Sequence, residues 1–303
     1  PLRAMTAPSS QNLGAPADKG VNTGVAPVTY GQGDRVPRGD YASARSDYTC
    51  DQDWIAYTAA DHDLYRRLYE RQAAQLPSLA CAEFIEAVRH LGAPEQIPRF
   101  EALSKTLHRA TGWEVVAVPG LIPEEAFFSL LSRRKFPVTG WLRKPEEFDY
   151  VVEPDVFHDL FGHVPLLFNP MFADYMQAYG AGGLKASKLE SCEYLARLYW
   201  YTVEFGLIST PQGPRAYGAG ILSSASELRY SVTSPRPQRI GFDVERIMRT
   251  RYKIDTHQAV YFVIDSFDQL INATAPDFTP LYQRVALLGE LAADQRLPSD
   301  RVF

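Results

Sequence analysis

His158 and His163 stand five residues apart in Val156-Phe157-His158-Asp159-Leu160-Phe161-Gly162-His163-Val164-Pro165, and the whole chain has only six histidines. Neutral imidazole is the commonest protein ligand for a transition metal. Glu204 lies in the apolar run from Tyr194 to Leu207. A carboxylate buried there must be paired, protonated or bound to a metal, because a lone buried charge is very costly. Two imidazoles and one carboxylate are the ligand set of an oxygen-activating ferrous site, which leaves positions free for oxygen and a cosubstrate. Arg197 is the competing salt-bridge partner for Glu204. Zinc is the runner-up metal: zinc hydrolases also use two histidines and a glutamate, usually from a His-Glu-x-x-His helix. Here the acid after His158 is Asp159 and the histidine spacing is longer by one.

That spacing dictates what the backbone must do. Positions i and i+5 lie about 140° apart on a regular α-helix, so the two rings would not share a face. The sequence suggests a helix that starts at Pro154-Asp155 and is ended by Gly162 in a left-handed conformation, with Pro165 holding Val164 extended so that His163 bends back. Glu204 is expected on a long buried helix over 187–208. Elsewhere, helices are expected from an Asp61 cap through Leu64 and Leu68, over 80–91 ended by Gly92, and over 98–110 ended by Gly112. Trp113–Val118 reads as a strand, Pro119-Gly120 as a turn, Pro123 as a helix start and 259–264 as a strand or buried segment. Tyr217–Ser224 reads as a loop, and Gly180, Gly182 and Gly183 as a mobile loop near the site. Residues 1–49, rich in Pro, Gly and Ser, are expected to be disordered, with order beginning near Trp54. Residues 50–303 then form one catalytic domain, mainly α with short β elements (α+β).

Composition narrows the class. At 303 residues and 46% hydrophobic, the chain can build a substantial core. A net charge of −5 gives no general attraction to nucleic acid or anionic membrane. No apolar run approaches the ~18 residues of a membrane span, and the first residues carry no signal-peptide core. The three cysteines form no Cys-x-x-Cys pair, which points to a reduced, cytoplasmic compartment.

Four motifs carry a family resemblance: Val118–Pro123, Glu153–Pro165, Leu198–Leu207 and Tyr217–Ser224. In that order they resemble the pterin-dependent aromatic amino acid hydroxylases, most closely the short bacterial branch that acts on phenylalanine. The resemblance implies that L-phenylalanine becomes L-tyrosine with O2 and a tetrahydropterin such as tetrahydrobiopterin at non-haem Fe(II), in phenylalanine catabolism or tyrosine supply. Tryptophan or tyrosine are the alternative substrates. It assigns His158, His163 and Glu204 to iron, and Gly120, Ile122, Phe127, Asp159 and Tyr199 to the pterin. Arg143 matches the arginine that grips the substrate carboxylate. Pro154 and Trp200 would flank the substrate ring, and Gly220, Ser223 and Glu227 would complete the pocket. Val151 stands where the animal enzymes carry a threonine, so this position lacks a hydroxyl. The chain lacks room for the family's N-terminal regulatory domain, and Leu281–Phe303 is too irregular for a tetramerising coiled coil, so a monomer is expected.

Overall fold

The computed structural model describes residues 37–303. The first helices follow their apolar periodicity. Ala59–Ala73 buries Leu64, Tyr65 and Leu68, and Phe100–Thr111 buries Phe100, Leu103 and Leu107. Between them, Ala82–Ala87 continues into a 3₁₀ turn, Val88–Leu91. Gly92 and Gly112 take φ of 83° and 75° and end their helices as the sequence suggests. Thr58, not Asp61, caps the first helix; Asp61 is its reciprocal partner in a capping box.

Two small sheets pack against the segments that carry the site, one on His158–His163 and the other on Trp200–Glu204. β1 (Glu114–Val118) runs parallel to β2 (Lys135–Thr139), with the helix Glu124–Ser132 between them in sequence. β2 escapes the sequence reading because Pro137 sits in its middle, where proline normally argues against a strand. A two-stranded sheet has open edges, and there proline costs no ladder bond. The second sheet contains β3 (Leu207–Ile208), β4 (Arg215–Ala216), β5 (Gln238–Gly241) and β6 (Val260–Ile264), in the order β4-β3-β6-β5. All five β6 residues are buried, as befits an inner strand. Helices around these short strands enclose one contiguous apolar cluster, so the chain is mainly α with short β elements.

Several expectations change. Gly180, Gly182 and Gly183 lie inside the helix Pro170–Lys188, not in a loop. A Cβ on Gly183 would come within 2.1 Å of the Phe128 ring, and one on Gly180 within 2.5 Å of the Ser132 nitrogen. These glycines let the helix lie tightly against Glu124–Ser132. Tyr217–Ser224 contains a helical turn, Ala219–Leu222, rather than only loop. The disorder expected for 1–49 falls outside the described residues as far as 36. From 37 onward the chain is packed: Tyr41–Ser43 forms a 3₁₀ turn with Tyr41 buried, and Cys50 bridges to Ala117 on the free edge of β1. Average composition hid these few anchors.

The two neighbouring glycines make a paired prediction. Gly183→Ala forces a methyl into the Phe128 ring and should destabilise by about 1–3 kcal/mol or more. Gly182→Ala meets nothing within 4 Å and should stabilise by up to about 1 kcal/mol through helix propensity. Denaturant unfolding of both variants measures the contrast.

Candidate metal centre

Both segments that carry the ligands are wound as π-helix, His158–His163 and Trp200–Glu204. In a π turn the hydrogen bond runs from i to i+5, so residues five apart lie over one another. That solves the spacing problem differently from the sequence reading. Gly162 is not left-handed, and Val164 is helical at φ −65°, ψ −38° rather than extended. A Cβ on Gly162 would sit 2.8 Å from the Ala219 carbonyl oxygen, so this glycine admits the Ala219–Leu222 turn. Asp155 does start the segment, accepting from the His158 N–H at 3.0 Å. The long helix expected over 187–208 is in fact Cys192–Tyr199 followed by the π turn that ends at Glu204. Residues 187 and 188 belong to the helix before it.

The three ligand candidates converge. The Nε2 atoms of His158 and His163 are 3.1 Å apart, and Glu204 places Oε1 3.2 Å from His163 Nε2 and Oε2 3.7 Å from His158 Nε2. His158 Nδ1 lies 2.8 Å from Ser223 Oγ, whose own hydroxyl donates to Ala219 O. Ser223 must therefore accept from Nδ1–H, which leaves the Nε2 lone pair facing Glu204. Burial pushes the His158 imidazolium down to about 3, so the ring is neutral at physiological pH. Burial alone would raise Glu204, but the neighbouring His163 and His158 hold it at about 2, ionised. Arg197 does not compete: it bonds to Met248 O at 2.8 Å and to Glu290. A divalent cation among these atoms would offset the Glu204 charge and draw on three donor atoms that lie within 4.8 Å of one another. The donors, two imidazoles and a carboxylate, suit ferrous iron.

His158 and Glu204 also form part of the wall of a cavity of about 510 Å³, together with Arg143, Trp200, Gly220, Ser223 and Glu227. The structure thus gathers five of the six substrate-side residues; Pro154 is buried beside Asp155 but does not line the cavity. Arg143 is fixed by Asp155, with Nε to Oδ2 at 2.8 Å and Nη2 to Oδ1 at 2.9 Å. The Nη1–Nη2 edge of the guanidinium is left for a second carboxylate. Asp155, read from sequence only as a helix start, is therefore the residue that joins the arginine to the His158 segment. The stretch Ile254–Gln258 was also missed; it lines the cavity, and Gln258 accepts from the Trp200 indole N–H at 2.9 Å. Its polarity just before the apolar β6 was the available signal. Glu227, its ionisation made harder by burial, accepts from Tyr261 OH and from Gln258 N.

The residues expected on the pterin side, Gly120, Ile122, Phe127, Asp159 and Tyr199, are all buried. The Tyr199 ring centroid lies 6.3 Å from that of His163 and 5.7 Å from that of Phe127. Asp159 accepts from Thr139 N at 2.7 Å. Thr139 is paired with Val118, the residue just before the turn that carries Gly120 and Ile122.

Known proteins resemble this chain in sequence and fold. The family model for biopterin-dependent aromatic amino acid hydroxylases matches residues 27–283. The chain belongs to this family. A phenylalanine-4-hydroxylase of Ralstonia nicotianae is 58% identical over 265 residues, covering 87% of this chain and 85% of that protein. One from Caulobacter vibrioides is 51% identical, covering 89% and 92%. The crystal structure of Chromobacterium violaceum phenylalanine hydroxylase with bound oxidised Fe(III) superposes with a TM-score of 0.83 at 56% identity, covering 85% of this chain and 94% of that one. Within a biopterin-dependent hydroxylase, the ring formed by His158, His163 and Glu204 is the metal centre to test. Ser223→Ala should weaken ferrous affinity about 10–100-fold by freeing the His158 tautomer, and Glu204→Ala should abolish stoichiometric iron. Anaerobic iron titration reads both.

Proposed function

We infer that the protein is a tetrahydropterin-dependent non-haem iron monooxygenase that converts L-phenylalanine to L-tyrosine with O2. One observation carries the reading: a triad of two imidazoles and a carboxylate, with His158 and Glu204 on the cavity wall, faces the same cavity as a buried arginine whose Nη1–Nη2 edge is left for a carboxylate. Iron at His158, His163 and Glu204 would supply oxygen activation, and tetrahydropterin the electrons. The rest falls to the chain's own side chains.

Arg143, held still by Asp155, would receive the amino acid carboxylate on its Nη1–Nη2 edge. That fixes the depth at which the ring enters, with Pro154 and Trp200 on its flanks and Gly220, Ser223 and Glu227 closing the pocket. Val151 on the wall offers no hydroxyl. On the other side Phe127 would stack against the pterin ring, while Gly120 and Ile122 offer backbone groups and Asp159 and Tyr199 border it. The indole of Trp200, tied to Gln258, helps exclude water from the reacting face. The identity to phenylalanine-4-hydroxylases favours phenylalanine over tyrosine or tryptophan. A cytoplasmic location suits the free state of all three cysteines. Among the described residues, no helix is long and apolar enough to cross a membrane.

The test is direct. Protein loaded anaerobically with ferrous iron, then given tetrahydrobiopterin, L-phenylalanine and O2, should form tyrosine. Metal-loaded protein that hydroxylates none of the aromatic amino acids would refute the assignment. Arg143→Lys keeps the charge but loses the fork, and should raise the KM for phenylalanine at least about ten-fold, roughly 1.4 kcal/mol, with the KM for pterin nearly unchanged.

A further inference from the structure

Residues 37–41 approach both halves of the proposed site. Gly39 has φ 105° and lies so close to Pro119 that a Cβ would fall 1.8 Å from its carbonyl oxygen. A Cβ on Gly120 would meet Arg38 O at 2.9 Å and Tyr41 OH at 3.0 Å. The buried Tyr41 donates its hydroxyl to Leu121 O at 2.8 Å. The turn 119–122 is therefore clamped from outside by backbone and by one buried hydrogen bond. Arg38 reaches the other way. Its guanidinium lies 4.9 Å from the Trp141 ring centroid and pairs with Glu147, and its backbone N–H points at Glu153 Oε2 at 3.4 Å. Trp141 O in turn accepts from Val156 N at 2.9 Å, just before the His158 segment. Arg143 and Asp149–Val151, on the same stretch of chain, form cavity wall.

We propose that residues 37–41 form a strap that holds the pterin-facing turn 119–122 in register with the substrate-side stretch 141–153, with Arg38 and Tyr41 as positioning residues for the reaction. The inference rests on the proposed placement of the pterin at Gly120 and Ile122. The two residues act on different partners. Tyr41 orients the Leu121 carbonyl, and so the neighbouring backbone groups on which the pterin would rest. Arg38 joins that turn to the loop that carries Arg143. Loss of the Tyr41 hydroxyl leaves the cofactor contact loose with the substrate side intact. Loss of Arg38 lets the two halves shift relative to each other, so that pterin is oxidised without a correctly placed ring to accept the oxygen.

The experiment uses the full iron-loaded chain as wild type, Tyr41→Phe, Arg38→Lys and Arg38→Ala. Four quantities are measured: iron content, KM for tetrahydrobiopterin and phenylalanine, tyrosine formed per pterin oxidised, and 7,8-dihydrobiopterin affinity by calorimetry. Tyr41→Phe keeps the ring volume and should raise both the tetrahydrobiopterin KM and the dihydrobiopterin Kd about five-fold, the scale of one lost hydrogen bond. Its iron content and phenylalanine KM should stay within about two-fold. Arg38→Ala should raise both KM values and reduce tyrosine per pterin to below about half of wild type, with partial rescue in Arg38→Lys. If Arg38→Ala does not fold, the Arg38→Lys coupling ratio decides. Unchanged pterin affinity in Tyr41→Phe, together with unchanged coupling in the Arg38 variants, reduces the strap to a purely structural element and overturns the inference. Wild-type protein run in parallel separates the two readings: no tyrosine from it refutes the proposed function, whereas normal wild-type turnover with unaffected variants refutes the strap alone.

Discussion

An ionised carboxylate buried in an apolar helix is the constraint around which this molecule is built. Glu204 sits among Trp200, Tyr201 and Val203, all buried, where water cannot solvate it. Left alone, such a charge would cost several kcal/mol even after local relaxation. The arginine nearest in sequence faces away, toward Glu290 and Met248. Compensation is available from His158 and His163 and would be completed by a cation between them. That requirement explains features that look unrelated: two π turns, a glycine at 162 that lets Ala219 approach, and a serine whose hydroxyl can both accept from His158 and donate to Ala219. Each serves to bring three ligand atoms within 4.8 Å of one another.

A second buried carboxylate links this centre to substrate recognition. Asp155 is wholly buried and accepts from the Arg143 side chain, the Arg143 backbone and the His158 backbone. Its carboxyl stays below the usual range although burial opposes this, because Arg143 and the backbone donors outweigh the desolvation. One buried, multiply bonded anion therefore sets both the Arg143 guanidinium and the backbone of His158, the first candidate ligand. Geometry of this kind favours reaction only when the ring is in place.

Much of the site is legible in the sequence because its chemistry is concentrated in motifs. The candidate ligands His158, His163 and Glu204, with Arg143, Trp200, Ser223 and Glu227, were all legible in the sequence, and the structure brings them to one triad and one cavity. Asp155, the Ile254–Gln258 wall and the strap at Arg38 were not. Their roles arise from contacts across long stretches of chain, as from Arg38 to Glu147 or from Trp200 to Gln258, and no local pattern encodes such a meeting. Pro137 concealed β2 because proline's penalty depends on whether an edge is free. The glycines of Pro170–Lys188 suggested a loop, since propensity alone does not know that Phe128 fills the space a side chain would need.

The sequence by itself determined which atoms are the candidates for the chemistry: two imidazoles, one carboxylate in an apolar run, and an arginine suited to a carboxylate. These follow from residue type and burial cost, which are local properties. It also posed the five-residue spacing as a problem without supplying the answer. Only the tertiary structure decided that the backbone winds as a π turn instead of ending at Gly162. Packing of Ala219 against Gly162 and the bond from His158 to Ser223, both long-range contacts, accompany the turn that brings the three side chains together.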